Sequence, residues 1–524
     1  MARDPQGALI ALNRFGLGAR GGAASDFSSA ASDPHGFVKA ELFRPNAALL
    51  DLPGLQSTPE LAKAFFDYQA EQDRERAAAP KVADAMASAS TDSKPPAANM
   101  ESSATDAKPD AAKPDAPMTD SNSAMQPGSV SGTVKSPDAI KPNTATAKEP
   151  LQPLNITQKT FRAEALARLQ RANIAENGFV ERLVAFWSNH FCISANKAGL
   201  ERMWAGSFER EAIRPHVLGR FGDMLKAVEQ HPAMIFFLDN QQSMGPNSKA
   251  GINRNKGINE NLAREIMELH SLGVGGGYTQ GDVTSLARII SGWTFSGRNG
   301  RLGPPGHFAF VQNFHEPGAQ RLLGKVYEEE GLAQGEAALA DIARHPSTAK
   351  FIATKFARHF VADDPPPALV ANLESVFRKT DGDLKAMTLA LVDADDAWNA
   401  PMTKLRMPYE FLVASGRLIA RMPEEPMRYL GGLNVLGQPL WTPPGPNGFP
   451  DTNAAWAAPE NMKLRLDIAA NIATRVGDAF DPRALLDVMA GEAASTETRQ
   501  TIARAESKQQ AFALLLMSPE FQRR

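Results

Sequence analysis

Six imidazole and carboxylate side chains are the residues of this chain best suited to chemistry: His190, Glu265, Glu268, His270, His315 and Glu316. Such groups together suit a first-row divalent metal or acid–base catalysis, and helical proteins can place them facing one another. We predict four catalytic residues: Glu265, His270, His315 and Glu316. His190 and Glu268 are predicted as ligands of a divalent metal. The hypothesis requires all six to meet at one pocket.

Each of these positions also has a structural interpretation that stays open at this point. His190 lies in an apolar helical stripe, where a histidine is often a core residue with its hydrogen bonds satisfied. Glu268 continues a series of charged residues at i+4 steps, which fits an exposed ion-pair ladder. Glu265 and His270 flank an apolar stripe, where an unpaired buried charge would cost several kcal/mol. His315 stands in a loop beside Glu and Gly, where packing gives less reason for a histidine.

Four further basic residues have simpler predicted roles. His231 and His345 each precede a proline at a predicted helix start, so we interpret them as caps or turn residues. Lys355 and His359 share one face of a helix. An amphipathic face with a lysine that extends to solvent explains both.

The elements that must position these residues are predicted to be mainly helical. Apolar residues at helical spacing fill 179–191, with Asn177 as the expected N-cap. A second helix is predicted over 259–272 and should end at Gly273. The following Thr279-Gln-Gly-Asp resembles a capping box with Asp in place of Glu. These patterns indicate a multi-helix single large domain.

Strand patterns are sparse. Residues 307–311 and 321–327 alternate in the manner of strands and are predicted to form one small β-hairpin around His315. The predicted class is therefore mainly α with a small hairpin.

Composition divides the chain into three parts. Between positions 68 and 161 there is no aromatic residue, and the Ala, Pro, Ser and Lys content is high. We predict an N-terminal helical part at 1–76, a long disordered insert at 77–155 and the main helical domain at 156–524. A Pro/Gly-rich stretch at 437–451 carries apolar anchors, so we expect an ordered loop on the core.

Charge and cysteine content exclude several function classes. Lys plus Arg number 56 against 59 Asp plus Glu, so no basic field favours nucleic acid. A single cysteine, Cys192, excludes an internal disulfide. No stretch approaches the roughly 18 apolar residues of a membrane helix. No secretion leader is evident at the N-terminus, which predicts a cytoplasmic location, with co-export alongside a partner as the alternative.

Several motifs together resemble the signatures of a known family. They are Asn189-His190-Phe191, the 259–293 block with its Asn-Glu-Asn-Leu-Ala-Arg-Glu start, and His315-Glu316-Pro-Gly. The chain is identified by them as a member of domain-of-unknown-function family 1800, which is bacterial and widespread. The resemblance spans about Leu9 to Gln522 without the insert. It implies a helical fold and brings no established reaction. Gln320 stands where the family pattern would have a lysine.

The resemblance also implies a partner, because members are commonly encoded beside proteins similar to the alkaline phosphatase and sulfatase superfamily. Two functions follow as hypotheses. The first is a metal-dependent or acid–base enzyme, hydrolase-like, with a His/Glu pocket and a divalent metal as cofactor. The second is a non-catalytic helical module that binds a phosphatase- or sulfatase-like partner, with the insert as a tether.

Overall fold

The computed structural model describes residues 3–22, 25–78 and 154–524. Nearly all of the predicted insert at 77–155 lies outside these residues. The described residues of Met1–Gln72 and Leu154–Arg524 form one compact unit. A second unit, Asp73–Pro153, is described only at residues 73–78, which end a long helix.

Helices make up most of the described chain. The α-helices are Pro5–Ile10, Ser25–Ser32, Pro34–Leu42, Thr58–Ala78, Ile156–Ile174, Phe179–His190, Gly199–Phe208, Phe221–Glu229, Pro232–Phe237, Lys249–Arg254, Asn261–Glu265, Gln280–Ile289, Leu332–Arg344, Pro346–Phe360, Pro367–Lys379, Leu384–Asp393, Asp395–Asn399, Pro408–Leu418, Met427–Val435, Asn453–Trp456, Pro459–Val476, Pro482–Ala490, Thr496–Ala503, Lys508–Met517 and Pro519–Gln522. Single π-helical turns span Ala11–Phe15, Glu209–Ile213 and Ile266–His270. The predicted mainly α class is confirmed.

The strands form two separate pairs, so the predicted pairing of 307–311 with 321–327 is wrong, although a small hairpin is present. Gln320–Leu322 pairs with Lys325–Tyr327. Leu323 and Gly324 join them with positive φ values of 49° and 82°, which suit a two-residue hairpin turn. The strand Phe308–Phe310 instead pairs with Trp293–Phe295, a short segment without a clear alternating pattern in the sequence.

The helix Phe179–His190 forms the centre of the larger hydrophobic core. Its side chains Phe179, Leu183 and Trp187 are fully buried, as the apolar spacing predicts. The helix begins after Gly178, which has φ 87°, and not with Asn177 as its cap. The Asn177 amide donates instead to the Ala11 carbonyl 3.0 Å away, because the N-terminal segment packs directly beneath this helix start.

The predicted helix 259–272 is interrupted where its candidate residues lie. A regular α-helix covers only Asn261–Glu265, and a wider π-helical turn continues through Ile266–His270. The hydroxyl of Ser271 donates to the Ile266 carbonyl and closes this turn. A π turn changes the direction in which the following side chains point, and such turns are frequent at functional sites.

Three capping predictions are confirmed. His231 and His345 accept hydrogen bonds through Nδ1 from Ala233 and Ser347, and each caps the helix that its proline begins. Thr279 and the carboxylate of Asp282 form the reciprocal capping box. None of the helices in the described ranges is long and apolar enough to cross a membrane.

Candidate active-site cavity

A cavity of about 240 Å³ opens between two long helices and the Pro/Gly-rich stretch. Its walls come from the end of Phe179–His190, the second half of Pro346–Phe360 and residues of the 437–451 segment. Polar side chains from all three reach it, including His190, Lys355 and Asp451. A pocket with a few convergent polar groups on an apolar wall is the usual setting for a ligand site.

Lys355 and His190 make direct contact at this cavity. The Nζ of Lys355 donates to Nδ1 of His190 across 2.9 Å. On the far side of the ring, Nε2 donates to the carbonyl oxygen of His270 at 3.1 Å. Because a carbonyl can only accept, the hydrogen of His190 belongs on Nε2, which leaves Nδ1 as the acceptor for Lys355.

Burial changes the titration of both groups. Removal from water lowers the pKa of Lys355 from 10.5 to about 8, which leaves amine and ammonium forms both populated near neutral pH. Burial, followed by the charge of Lys355, holds the pKa of His190 well below its ordinary value. His190 is therefore a neutral imidazole beside a lysine that can gain or lose a proton.

The Pro/Gly-rich stretch is fastened to the helices around the cavity. The Asn189 side chain donates to the Phe449 carbonyl at 2.9 Å and accepts from the Phe449 amide at 2.8 Å. The indole of Trp441 donates to Glu209 at 3.2 Å. Cys192 also bonds this segment through its thiol, and burial raises the pKa of that thiol to about 12, which makes it a poor nucleophile.

A buried charge network closes one end of the cavity. Asp451 accepts from Nδ1 of His359 at 2.6 Å and lies 3.3 Å from both Lys404 and Arg524. These neighbours outweigh its burial and hold the pKa of Asp451 far below its usual range. Nε2 of His359 lies 3.4 Å from Arg182, so both ring nitrogens already have partners. These contacts hold His359 and Asp451 in place at the cavity wall.

Four of the six predicted site residues lie near one another, one in the cavity wall and three behind it. His190 contacts the His270 backbone, and the His270 ring donates from Nδ1 to Glu229 at 2.8 Å. Burial raises the pKa of Glu265, against the opposing effect of the nearby His270. Glu268 is half-buried on the same turn and adds its charge to that of Glu265. Of these four, only His190 lines the cavity.

His315 and Glu316 occupy a different place and do not line the cavity. Nδ1 of His315 donates to the Ser291 carbonyl at 3.0 Å. The Glu316 carboxylate accepts from the backbone and side-chain amides of Asn247. These bonds fasten the loop to two neighbouring segments. The structure therefore does not bring all six predicted residues to one pocket.

The predicted metal ligands, His190 and Glu268, do not belong to a cluster of described residues that could coordinate a metal ion. Within residues 3–22, 25–78 and 154–524, no three His, Cys, Asp or Glu side chains converge as metal ligands. Both ring nitrogens of His190 are already engaged, one by Lys355 and one by the His270 carbonyl. The residues around His190 and Glu268 thus do not fit a divalent metal.

Sequence reasoning missed Lys355, the side chain of the cavity that is best suited to proton transfer. Lys355 and His359 are interpreted above as an ordinary amphipathic face, yet both line the cavity. Two features of the sequence could have indicated this site. Lys355 and His359 are four residues apart on an apolar helix, and a second apolar helix ends in His190. The contact itself joins residues 165 positions apart, so no local pattern encodes it.

The fold and cavity together define a mainly helical protein with an internal polar site built by two helices and a loop. The chain belongs to the family described as "Protein of unknown function (DUF1800)", whose model matches residues 10–523. This confirms the family resemblance drawn from its motifs. No curated protein and no solved structure matches the chain.

Proposed function

We propose that this protein is an acid–base enzyme in which Lys355 transfers the proton at the cavity. The contact between Lys355 Nζ and His190 Nδ1 carries the proposal. A catalytic acid or base works best when its pKa lies near the working pH, and a lysine with a pKa of about 8 meets that condition. The reaction is hydrolase-like in the sense that a group at this position can accept a proton from water or donate one to a leaving group.

His190 acts in this proposal as a positioning residue. Its ring is fixed by the carbonyl of His270, and it presents a lone pair that holds the Lys355 amine in one orientation. His270 is oriented in turn by Glu229. The predicted catalytic residues His270 and Glu265 therefore support the acid–base pair from behind the wall and do not touch the substrate.

The proposal gives no catalytic role to the loop residues and does not require the predicted partner or tether. His315 and Glu316 hold their loop, and we assign them no proton transfer. A phosphatase- or sulfatase-like partner stays a prediction from the family resemblance. The tether on which that alternative depends lies outside the described residues.

A screen with matched variants tests the proposal. The full chain is assayed against chromogenic carboxylate, phosphate and sulfate esters between pH 6 and 9. Lys355→Met should lose roughly 100-fold or more of any activity found, the usual contribution of a general acid or base. Lys350→Met, an exposed lysine on the same helix, is the control and should keep it. Equal activity in the two variants would overturn the proposal.

A further inference from the structure

Two cations at the cavity lack an acidic partner. Lys355 donates to neutral His190, and Arg358 donates from Nε to the Asp363 carbonyl at 2.9 Å. In the described part of the chain neither pairs with a carboxylate. Both line the cavity and stand three positions apart on one helix, so they share a face.

The acidic side chains of the cavity cannot neutralise them. Three carboxylates line it: Glu209, Glu410 and Asp451. Glu209 lies 3.1 Å from both Arg168 and Arg214. Glu410 lies within 3.2 Å of Arg182 and Arg524, and Asp451 lies 3.3 Å from Lys404 and from the same Arg524. The balance of charge around the cavity is therefore positive, and a partly enclosed site strengthens the attraction for an anion.

The rest of the wall is apolar and largely aromatic. The side chains that provide it include Phe186, Tyr409, Leu440, Trp441 and Phe449. Aromatic walls favour a ligand with an apolar body. The volume of about 240 Å³ is sufficient for a body of one ring.

We propose that the cavity binds a small organic anion, with its charged group at Lys355 and Arg358 and its apolar body against the aromatic wall. This names the substrate class of the proposed enzyme and rests on that proposed function. A carboxylate, a phosphate ester and a sulfate ester share the required chemistry. An anion at this position would also favour the protonated form of Lys355.

Direct binding measurements test the inference without turnover. The full chain is titrated by calorimetry at pH 7 with benzoate, phenyl phosphate and phenyl sulfate, and with uncharged benzamide and small acetate. At least one aromatic anion should bind roughly tenfold or more tighter than benzamide and than acetate, and the strongest of the three identifies the charged group. Benzamide binding as tightly as every aromatic anion would overturn the inference.

Variants locate the site. Lys355→Met and Arg358→Met should each weaken the best anion roughly tenfold or more, whereas Lys350→Met should not change it. Arg358→Met keeps the test available if Lys355→Met does not fold, as checked by circular dichroism. Unchanged affinity in a folded Arg358→Met variant would contradict the placement. Binding together with an ordinary Lys355 titration would reject the acid–base function and leave the anion site intact.

Discussion

The amine of Lys355 and the imidazole of His190 form one hydrogen-bonded unit across 2.9 Å, although 165 positions separate them in the chain. Two helices supply them, and the carbonyl of His270 fixes the ring from the other side. The unit combines a neutral acceptor with a lysine whose charge depends on pH. Its consequences can be measured separately for stability and for chemistry.

Replacement of His190 by alanine should destabilise the fold. The change leaves the buried His270 carbonyl without its donor and Lys355 without its acceptor, each a loss of about 1–3 kcal/mol for a buried polar group. Urea denaturation monitored by circular dichroism measures the free energy of unfolding. The control is His307→Ala, an exposed histidine, which should change it by less than about 0.5 kcal/mol. Equal values for both variants would show that the His190 bonds do not form.

Relative to the unchanged protein, Lys355→Met should be more stable at pH 7 than at pH 10, on top of a constant cost for the lost bond to His190. A lysine with a lowered folded pKa carries an unfavourable charge that is fully present below about pH 8. That cost decreases as pH rises from about 8 to the unfolded value near 10.5. Above 10.5 the lysine is neutral in both the folded and the unfolded chain, so it no longer affects stability through its charge.

The difference in Tm between Lys355→Met and the unchanged protein measures this effect, because all other titrating groups are common to both. Those facing Lys355 are His190, Cys192, Arg358 and Asp451. Lys350→Met should show no such pH dependence. A difference that is constant from pH 7 to pH 10 would contradict the lowered pKa.

The Glu229 carboxylate should be needed to hold His270. Both side chains are almost fully buried, with 2.8 Å between Nδ1 and Oε1. Glu229→Ala removes the acceptor and should cost about 1–3 kcal/mol of stability, whereas Glu229→Gln keeps an amide oxygen and should cost less. Thermal unfolding of both variants measures the difference. If Gln destabilises as much as Ala, the hydrogen bond does not explain the role of Glu229.

Asp451→Asn should destabilise strongly at neutral pH. It removes the charge opposite His359, Lys404 and Arg524, and loss of one member of a buried charge network costs about 3 kcal/mol. A carboxylate with a lowered folded pKa stabilises above its unfolded value and loses this contribution as pH falls towards its folded value. The deficit should therefore shrink in acid.

The control is Asp467→Asn, since Asp467 pairs with Lys463 on an exposed helix face. Its cost should stay below about 1 kcal/mol. Urea denaturation at pH 7 and at pH 3 compares the variants. A deficit for Asp451→Asn that does not depend on pH would show that the network is not electrostatic.

The fold could be predicted from the sequence where the signal was local. Apolar spacing located the buried face of Phe179–His190, and proline after His231 and His345 located two capped helix starts. The π-helical turn at Ile266–His270 could not be predicted, because its sequence is compatible with a regular helix. Its formation depends on packing against neighbouring segments.

The candidate site could be predicted only in part. His190 was singled out as a histidine in an apolar stripe, but its partner Lys355 has an ordinary amphipathic context in the sequence. Burial lowers the pKa of Lys355, and that burial arises only when the helices pack together. His315 and Glu316 were adjacent and polar, yet their bonds go to Ser291 and Asn247.

The titration of Lys355 tests the central claim most directly. The full chain is acetylated briefly with trace acetic anhydride between pH 6 and 11, and mass spectrometry measures the rate at Lys355 and at Lys350. The shape of each rate profile reports the pKa of its amine whatever the accessibility. Half-maximal reactivity of Lys355 at about pH 8 is expected, well below that of Lys350. Coincident profiles near pH 10.4 would contradict the account.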